Sequence, residues 1–192
     1  MPRIKSFDEE AALEKAMNLF WKKGFHATSM QDIVEELAIN RASLYATYGG
    51  KKDLFIKAFD LYRSRTRKML QASLLAKPNI KEGFRNLFFT EIDSAVLDFD
   101  TKGCFAVNTT TELAQVDEEI TSVLQENRKV FVNTVVEYIE YGKKAGQIPQ
   151  GRNSKALANH FFMLFNGLKV MTKLHMPKEE LKQMVEEGLD VL

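Results

Sequence analysis

Arg41, Ala42, Ser43, Tyr45 and Thr47, in the run RASLYATYGGKK that ends with Lys51 and Lys52, put a guanidinium, two hydroxyls and a phenol around a small residue. The chemistry this set offers is recognition. A guanidinium bridges the O6 and N7 acceptors of guanine, hydroxyls and ammonium groups hold phosphate oxygens, and a phenol ring can touch a thymine methyl. Arg41 is therefore the first candidate for direct base readout, with Gln31 the second. Ser29, Ser43, Tyr45, Thr47 and Lys51 are candidates for phosphate contact, and Ala42 keeps the surface shallow enough for close approach.

The elements that must position these groups are legible on either side. Thr28 or Ser29 can cap a helix by accepting a backbone N–H bond, and Met30, Ile33, Val34 and Leu37 then recur at helical spacing as one apolar stripe. Ala38-Ile39-Asn40 supplies a turn, with Asn40 placed to cap a second helix from Arg41 to about Tyr48. Leu44 and Tyr48 anchor that helix, which leaves its polar face free to enter a major groove about 12 Å wide. Gly49-Gly50 ends it, and Lys51-Lys52 starts the next helix, where free N–H groups and an ammonium both favour an anion. This is the layout of a helix-turn-helix. On the helix pattern alone, an ordinary helical hairpin inside an all-α protein is the plainer reading.

Thr28-Ser29, Asp32-Ile33, Leu44-Tyr45, Tyr48-Gly49, Lys51 and Leu54-Phe55 together resemble the N-terminal signature of the TetR family of bacterial transcriptional regulators. The preceding stripe of Leu13, Ala16, Met17, Phe20 and Trp21, closed by Gly24, fits the same pattern. Ala42 stands where the family often has glycine or proline, Thr47 where a histidine or aromatic is common, and Tyr48 where phenylalanine is usual; such changes alter what is read. The resemblance covers roughly the first third of the chain. It implies an all-α fold of about nine helices, an N-terminal three-helix bundle with the helix-turn-helix, and a larger helical domain that binds an effector and dimerises through its last two long helices. It further implies a double-stranded DNA operator, and a small-molecule effector whose entry shifts the Lys51 helix like a lever and changes the separation of two reader heads.

Composition agrees with two helical parts, expected at residues 1–50 and 51–192. The chain has 192 residues, 45% of them hydrophobic, which is enough for a real core. The net charge of +1 divides unevenly: residues 1–68 hold 13 basic and 9 acidic side chains, residues 69–192 hold 14 and 17. The basic end is the reader end, and Pro2, Arg3 and Lys5 form a short basic arm that either adds DNA contacts or frays. A single cysteine fits a reducing cytoplasm, and the lack of a long uncharged apolar run disfavours a membrane span. Helices are expected from Lys51 to about Leu75, Asn79 to about Asp98, Cys104 to Leu113, Asp117 to Lys144, Ser154 to His175 and Pro177 to Leu192, with a break at 100–103. The Ser154 helix is apolar on every face and so needs covering on more than one. Leu181, Met184, Val185 and Leu192 form one stripe on the last, and the pair suits half of an intermolecular four-helix bundle.

GCFAVN (103–108) is similar to a segment seen beside the ligand cavity in a subset of TetR regulators. On that resemblance Phe88, Phe89, Cys104, Phe105, Asn108, Phe162, Phe165 and Asn166 are candidate cavity residues, suited to a mostly apolar or aromatic effector held by one or two hydrogen bonds. For any one phenylalanine the alternative is plain core. Cys104 has two readings: a thiol at a helix start that senses oxidants or electrophiles, or a small buried apolar residue. His26, His160 and His175 make no metal-ligand spacing with one another or with Cys104, and no cofactor is expected. Beside a ligand-responsive homodimeric repressor stand a DNA-bound protein-interaction module of the same fold and a thiol-dependent enzyme. The enzyme reading lacks a phosphate loop, a paired-carboxylate motif or a base beside the cysteine.

Overall fold

The computed structural model describes residues 7–96 and 102–192. Pro2, Arg3 and Lys5, together with residues 97–101 of the expected break and helix end, lie outside them. Among the described residues the regular elements are helical: α1 (Glu9–Lys23), α2 (Met30–Leu37), α3 (Arg41–Tyr48), α4 (Lys51–Leu75), α5 (Ile80–Val96), α6 (Phe105–Leu113), α7 (Glu118–Lys144), α8 (Ser154–Met171) and α9 (Lys178–Leu189), with a 3-10 turn (Thr172–Leu174) after α8.

Local chemistry fixes most helix ends. Asp8, Ser29, Asn40, Asp117 and Asn153 each accept a backbone N–H in the first turn of the following helix. Ser29 takes the cap, not Thr28; the Thr28 hydroxyl is fully buried and donates to the Gly24 carbonyl at 2.6 Å. Gly24 and Gly49 close α1 and α3 at φ 85° and 92°, a region that suits glycine alone. The eighth helix stops as an α-helix at Met171, short of the expected His175, because the chain tightens into 3-10 geometry and His175 turns left-handed at φ 53°.

Two apolar cores fill the molecule. One gathers α1 to α3, the first half of α4, α6 and the start of α7 around Phe20, Phe55, Phe59 and Phe105. The other packs the end of α4 with α5, α7, α8 and α9 around Phe84, Phe88, Phe161 and Val135. Helix α4 contributes to both, and so does α7, so the three N-terminal helices share their core with Cys104, Phe105 and Leu113. In α8, Phe161, Phe165 and Leu168 are buried while Met163 and Val170 stand exposed. In α9, Leu181, Val185 and Leu189 form the buried stripe, and Met184, expected on it, faces outward instead. The reason is geometric: positions i, i+4 and i+8 share a side, and i+3 lies at its edge. Lys169 pairs with the buried Glu91 between α5 and α8, and burial draws its amine down to about 8. No helix among the described residues is long and apolar enough to cross a membrane.

Candidate nucleic-acid interface and effector cavity

The candidate recognition surface is built from α2 and α3. Leu44 and Tyr48 hold α3 to the bundle, the Tyr48 hydroxyl donating to the Glu9 carbonyl at 3.1 Å. Arg41, Ala42 and Tyr45 are then left exposed, and Ser43 and Thr47 half-buried at the edges. Arg41 makes no ion pair or side-chain hydrogen bond among the described residues, and the Tyr45 ring is 51% exposed. Such a guanidinium and ring, one helical turn apart, are free to meet an external partner. At the start of α2, Ser29 and Asp32 form a reciprocal capping box: Ser29 Oγ accepts from Asp32 N at 3.0 Å, and Asp32 accepts from Ser29 N at 2.6 Å. Lys23 Nζ sits 2.7 Å from the same carboxylate. Together they hold the Asp32 carboxyl well below the usual range, the Lys23 contact first. Gln31 is exposed beside this box but donates to Glu35 at 2.7 Å, a bond it would have to exchange on meeting a base.

Helix α4 opens without a side-chain cap, at Gly50, so its first-turn amides are unsatisfied by the protein's side chains. The two lysines there divide their work. Lys51 Nζ rests 4.4 Å from the Phe25 ring centre, and partial burial lowers its pKa against the pull of Glu112 and Asp32. Lys52 is committed elsewhere, 2.8 Å from both Asp117 and Glu119, and pins α4 to the start of α7. A second tie passes through Glu112 of α6, whose carboxylate accepts from Phe25 N at 3.0 Å and His26 N at 2.7 Å. The turn between α1 and α2 is held by a residue of another helix, which no local pattern announces.

A cavity of about 380 Å³ opens between α4, α6, α7 and α8. Cys104, Phe162, Phe165 and Asn166 line it, four of the residues expected there. The other four lie elsewhere. Phe88 is buried core against Phe161 and Phe165. Phe89 packs toward α9 beneath the Lys182 ammonium, and Phe105 sits in the reader-side core between Trp21, Phe55 and Phe59. Asn108 ties two segments together, donating to the Lys102 carbonyl and accepting from Lys173 at 2.8 Å. The resemblance implies all four at the cavity; Phe88 and Phe105 do point inward, but inward has two sides in a molecule with two cores. The wall also holds residues not expected from sequence, above all Tyr62 and Arg63 of α4 and Phe131 of α7. The Tyr62 hydroxyl lies 3.3 Å from Cys104 Sγ, and burial with the neighbouring thiol pushes its pKa well up. The Cys104 sulfur therefore faces a neutral phenol inside a buried wall.

A capped and partly unpaired α3 on a three-helix bundle, joined by one long helix to a larger helical part with a cavity, defines a helix-turn-helix DNA-binding protein. Comparison with known proteins narrows the class. Residues 12–58 match the family described as bacterial regulatory proteins, tetR family, and residues 86–187 match the tetracyclin repressor-like C-terminal domain. The HTH-type transcriptional repressor ComR of Escherichia coli (strain K12) is 30% identical over 182 residues, covering 94% of this chain and 87% of ComR. The uncharacterized HTH-type transcriptional regulator YezE of Bacillus subtilis (strain 168) is 28% identical over the full length of both chains. Among solved structures, a cysteine mutant of the TetR family transcriptional regulator CifR, complexed with 26-bp double-strand operator DNA, superposes with a TM-score of 0.87 at 26% identity over 98% of each chain. The chain belongs to the TetR family: it is a DNA-binding transcriptional regulator and not an enzyme.

Proposed function

We propose that the chain works in the cytoplasm as a homodimeric repressor, released from a near-palindromic operator when a small, largely apolar or aromatic effector fills the α4–α8 cavity. The observation that carries this reading is that α4 begins under the recognition helix and, further along, lines the cavity with Tyr62, Arg63 and Leu70. A ligand that displaces α4 displaces the reader, and a coupling of about 1–3 kcal/mol is enough for a useful switch. In this reading Arg41 contacts a guanine and Gln31 a base at the groove edge. Ser29, Ser43, Tyr45, Thr47 and Lys51 hold phosphates, with Ala42 allowing close approach and the uncapped amides of α4 adding donors.

Support for the dimer comes from α8. Met163, Gly167 and Val170 recur at i, i+4 and i+7, all exposed, and a Cβ at Gly167 would meet nothing within 4 Å. An apolar stripe interrupted by glycine lets a second helix approach closely, and a two-fold pair of readers then addresses half-sites about 34–36 Å apart. Binding of the purified protein to fragments of its own upstream DNA at two salt concentrations tests the reader. Arg41→Ala is expected to lose sequence preference and Lys51→Ala to lose strength uniformly, with a shallower salt dependence. Weak binding without preference by all three proteins would shift the search to a genome-wide selection.

A second reading of the effector rests on Cys104, whose sulfur lies in the cavity wall: an oxidant or electrophile entering the cavity would act on the thiol. If Cys104→Ser protein still releases DNA in response to every active electrophile, the cysteine is packing and the effector binds without covalent chemistry.

A further inference from the structure

The cavity wall carries one polar group that the fold leaves unsatisfied. Arg63 Nη1 donates to the Val123 carbonyl of α7 at 3.2 Å, and Nη2 donates to Asp60 at 2.5 Å. Its Nε is buried and has no hydrogen-bond partner among the described residues. A buried N–H of a charged group is rarely left without an acceptor, and when one is, a missing ligand is among the few physical reasons. The same cavity is lined by the rings of Tyr62, Phe131, Phe162 and Phe165. Asp60 is held by Arg63 itself, Glu126 lies 3.7 Å from Lys129, and Arg67 has no partner among the described residues. The guanidinium is therefore held by Asp60 and the Val123 carbonyl, with one buried N–H that meets no acceptor among the described residues, in the wall of a cavity lined by aromatic rings.

We infer that the effector carries an acidic oxygen group, such as a carboxylate, on an aromatic or apolar body, and that Arg63 Nε reads that oxygen. The inference rests on the cavity being the effector site. Nε and its adjacent Nη form the side-on fork that a carboxylate bridges; Asp60 occupies the Nη and so competes with the ligand. Because the same guanidinium ties α4 to α7 through Val123, an oxygen that draws it inward acts on the helix carrying the reader.

The test uses two probes with one apolar body, 3-phenylpropionate and 3-phenylpropanol, on the full-length protein. The chain has a single tryptophan, Trp21, whose ring centre lies 5.1 Å from that of Tyr62 in the cavity wall, so its fluorescence reports occupancy, with calorimetry as a second readout. The acid is expected to bind at least about tenfold more tightly than the alcohol, the scale of one charge-assisted hydrogen bond. Arg63→Gln should erase that preference, weakening the acid at least about tenfold more than the alcohol, Phe162→Ala should weaken both probes, and Asp60→Asn should strengthen the acid severalfold. Equal binding of the two probes, or a preference that survives Arg63→Gln, overturns the inference while leaving the cavity as the effector site. Should Arg63→Gln fail to fold, an unchanged acid affinity in Asp60→Asn overturns it equally. If neither probe binds, the inference falls together with the cavity reading.

Discussion

The Glu112 carboxylate holds two consecutive backbone amides, Phe25 N and His26 N, that lie 87 and 86 residues away in sequence. Its neighbour Lys51 rests on the ring of the same Phe25. One side chain of α6 thus fixes the turn that positions both α2 and a candidate phosphate ligand. Glu112→Ala is expected to destabilise the protein by about 1–3 kcal/mol, since two N–H groups lose their acceptor, and to loosen DNA binding even under conditions where the fold is intact; thermal unfolding and operator titration separate the two. Asp32 offers a pH test. Its folded pKa is depressed, chiefly by Lys23, so the stabilisation it gives α2 is complete above about pH 4 and is lost as pH falls through the folded value. Carboxyl NMR should place its midpoint below the ordinary Asp range, and Lys23→Ala should move it up toward that range. The roles of Ser29 and Asn40 were legible in the sequence because a cap is a local bond across three residues. Those of Glu112, Lys52 and Arg63 were not, because their partners are brought near only by the packing of distant helices.

Periodicity located the helices well because burial of one face imposes a 3.6-residue repeat whatever the partner. It did not say which of two cores a face joins, and Phe105 and Phe88 show the consequence. Both are buried, but among the reader's rings and the α5–α8 rings respectively, not at the cavity. Nor does periodicity reveal close crossings. Helix α5 passes α4 and α7 at Gly83, where a Cβ would land on the Tyr138 hydroxyl and within 2.5 Å of the Leu74 carbonyl oxygen. A backbone atom cannot swing aside as a side chain can. Gly83→Ala should therefore cost about 1–3 kcal/mol or more by overpacking, seen as a lower urea midpoint with unchanged slope. Tyr138→Phe added to it should recover only the part due to the hydroxyl, leaving the Leu74 clash.

For the whole molecule, the proposed dimer needs a surface that joins two readers. A single chain leaves Met163 67% and Leu174 66% exposed, with Val170 and Met184 less so, along the outer side of α8, its 3-10 turn and α9. Large apolar side chains clustered this way mark an interaction surface more often than a solvated one. Gly188 of α9 lies so close beneath Leu164 of α8 that a Cβ there would fall 2.5 Å from the leucine's methyl end, so the two helices pack against each other. Pairing two such faces about a two-fold axis buries both stripes at once, which a heterologous contact would not. A Met163→Glu, Val170→Glu double variant puts charges at the centre of that face without touching either core. It is expected to sediment as a monomer with native helical content. Its operator affinity should fall by about 10²–10⁴-fold, the avidity lost when the second reader is no longer tethered, while binding of an effector to the cavity stays unchanged if each chain forms its own site. A variant that still sediments as a dimer would remove α8 from the interface. A monomer that keeps full operator affinity would show instead that one recognition helix with its α4 phosphate contacts is enough, and that the exposed stripe serves some other partner.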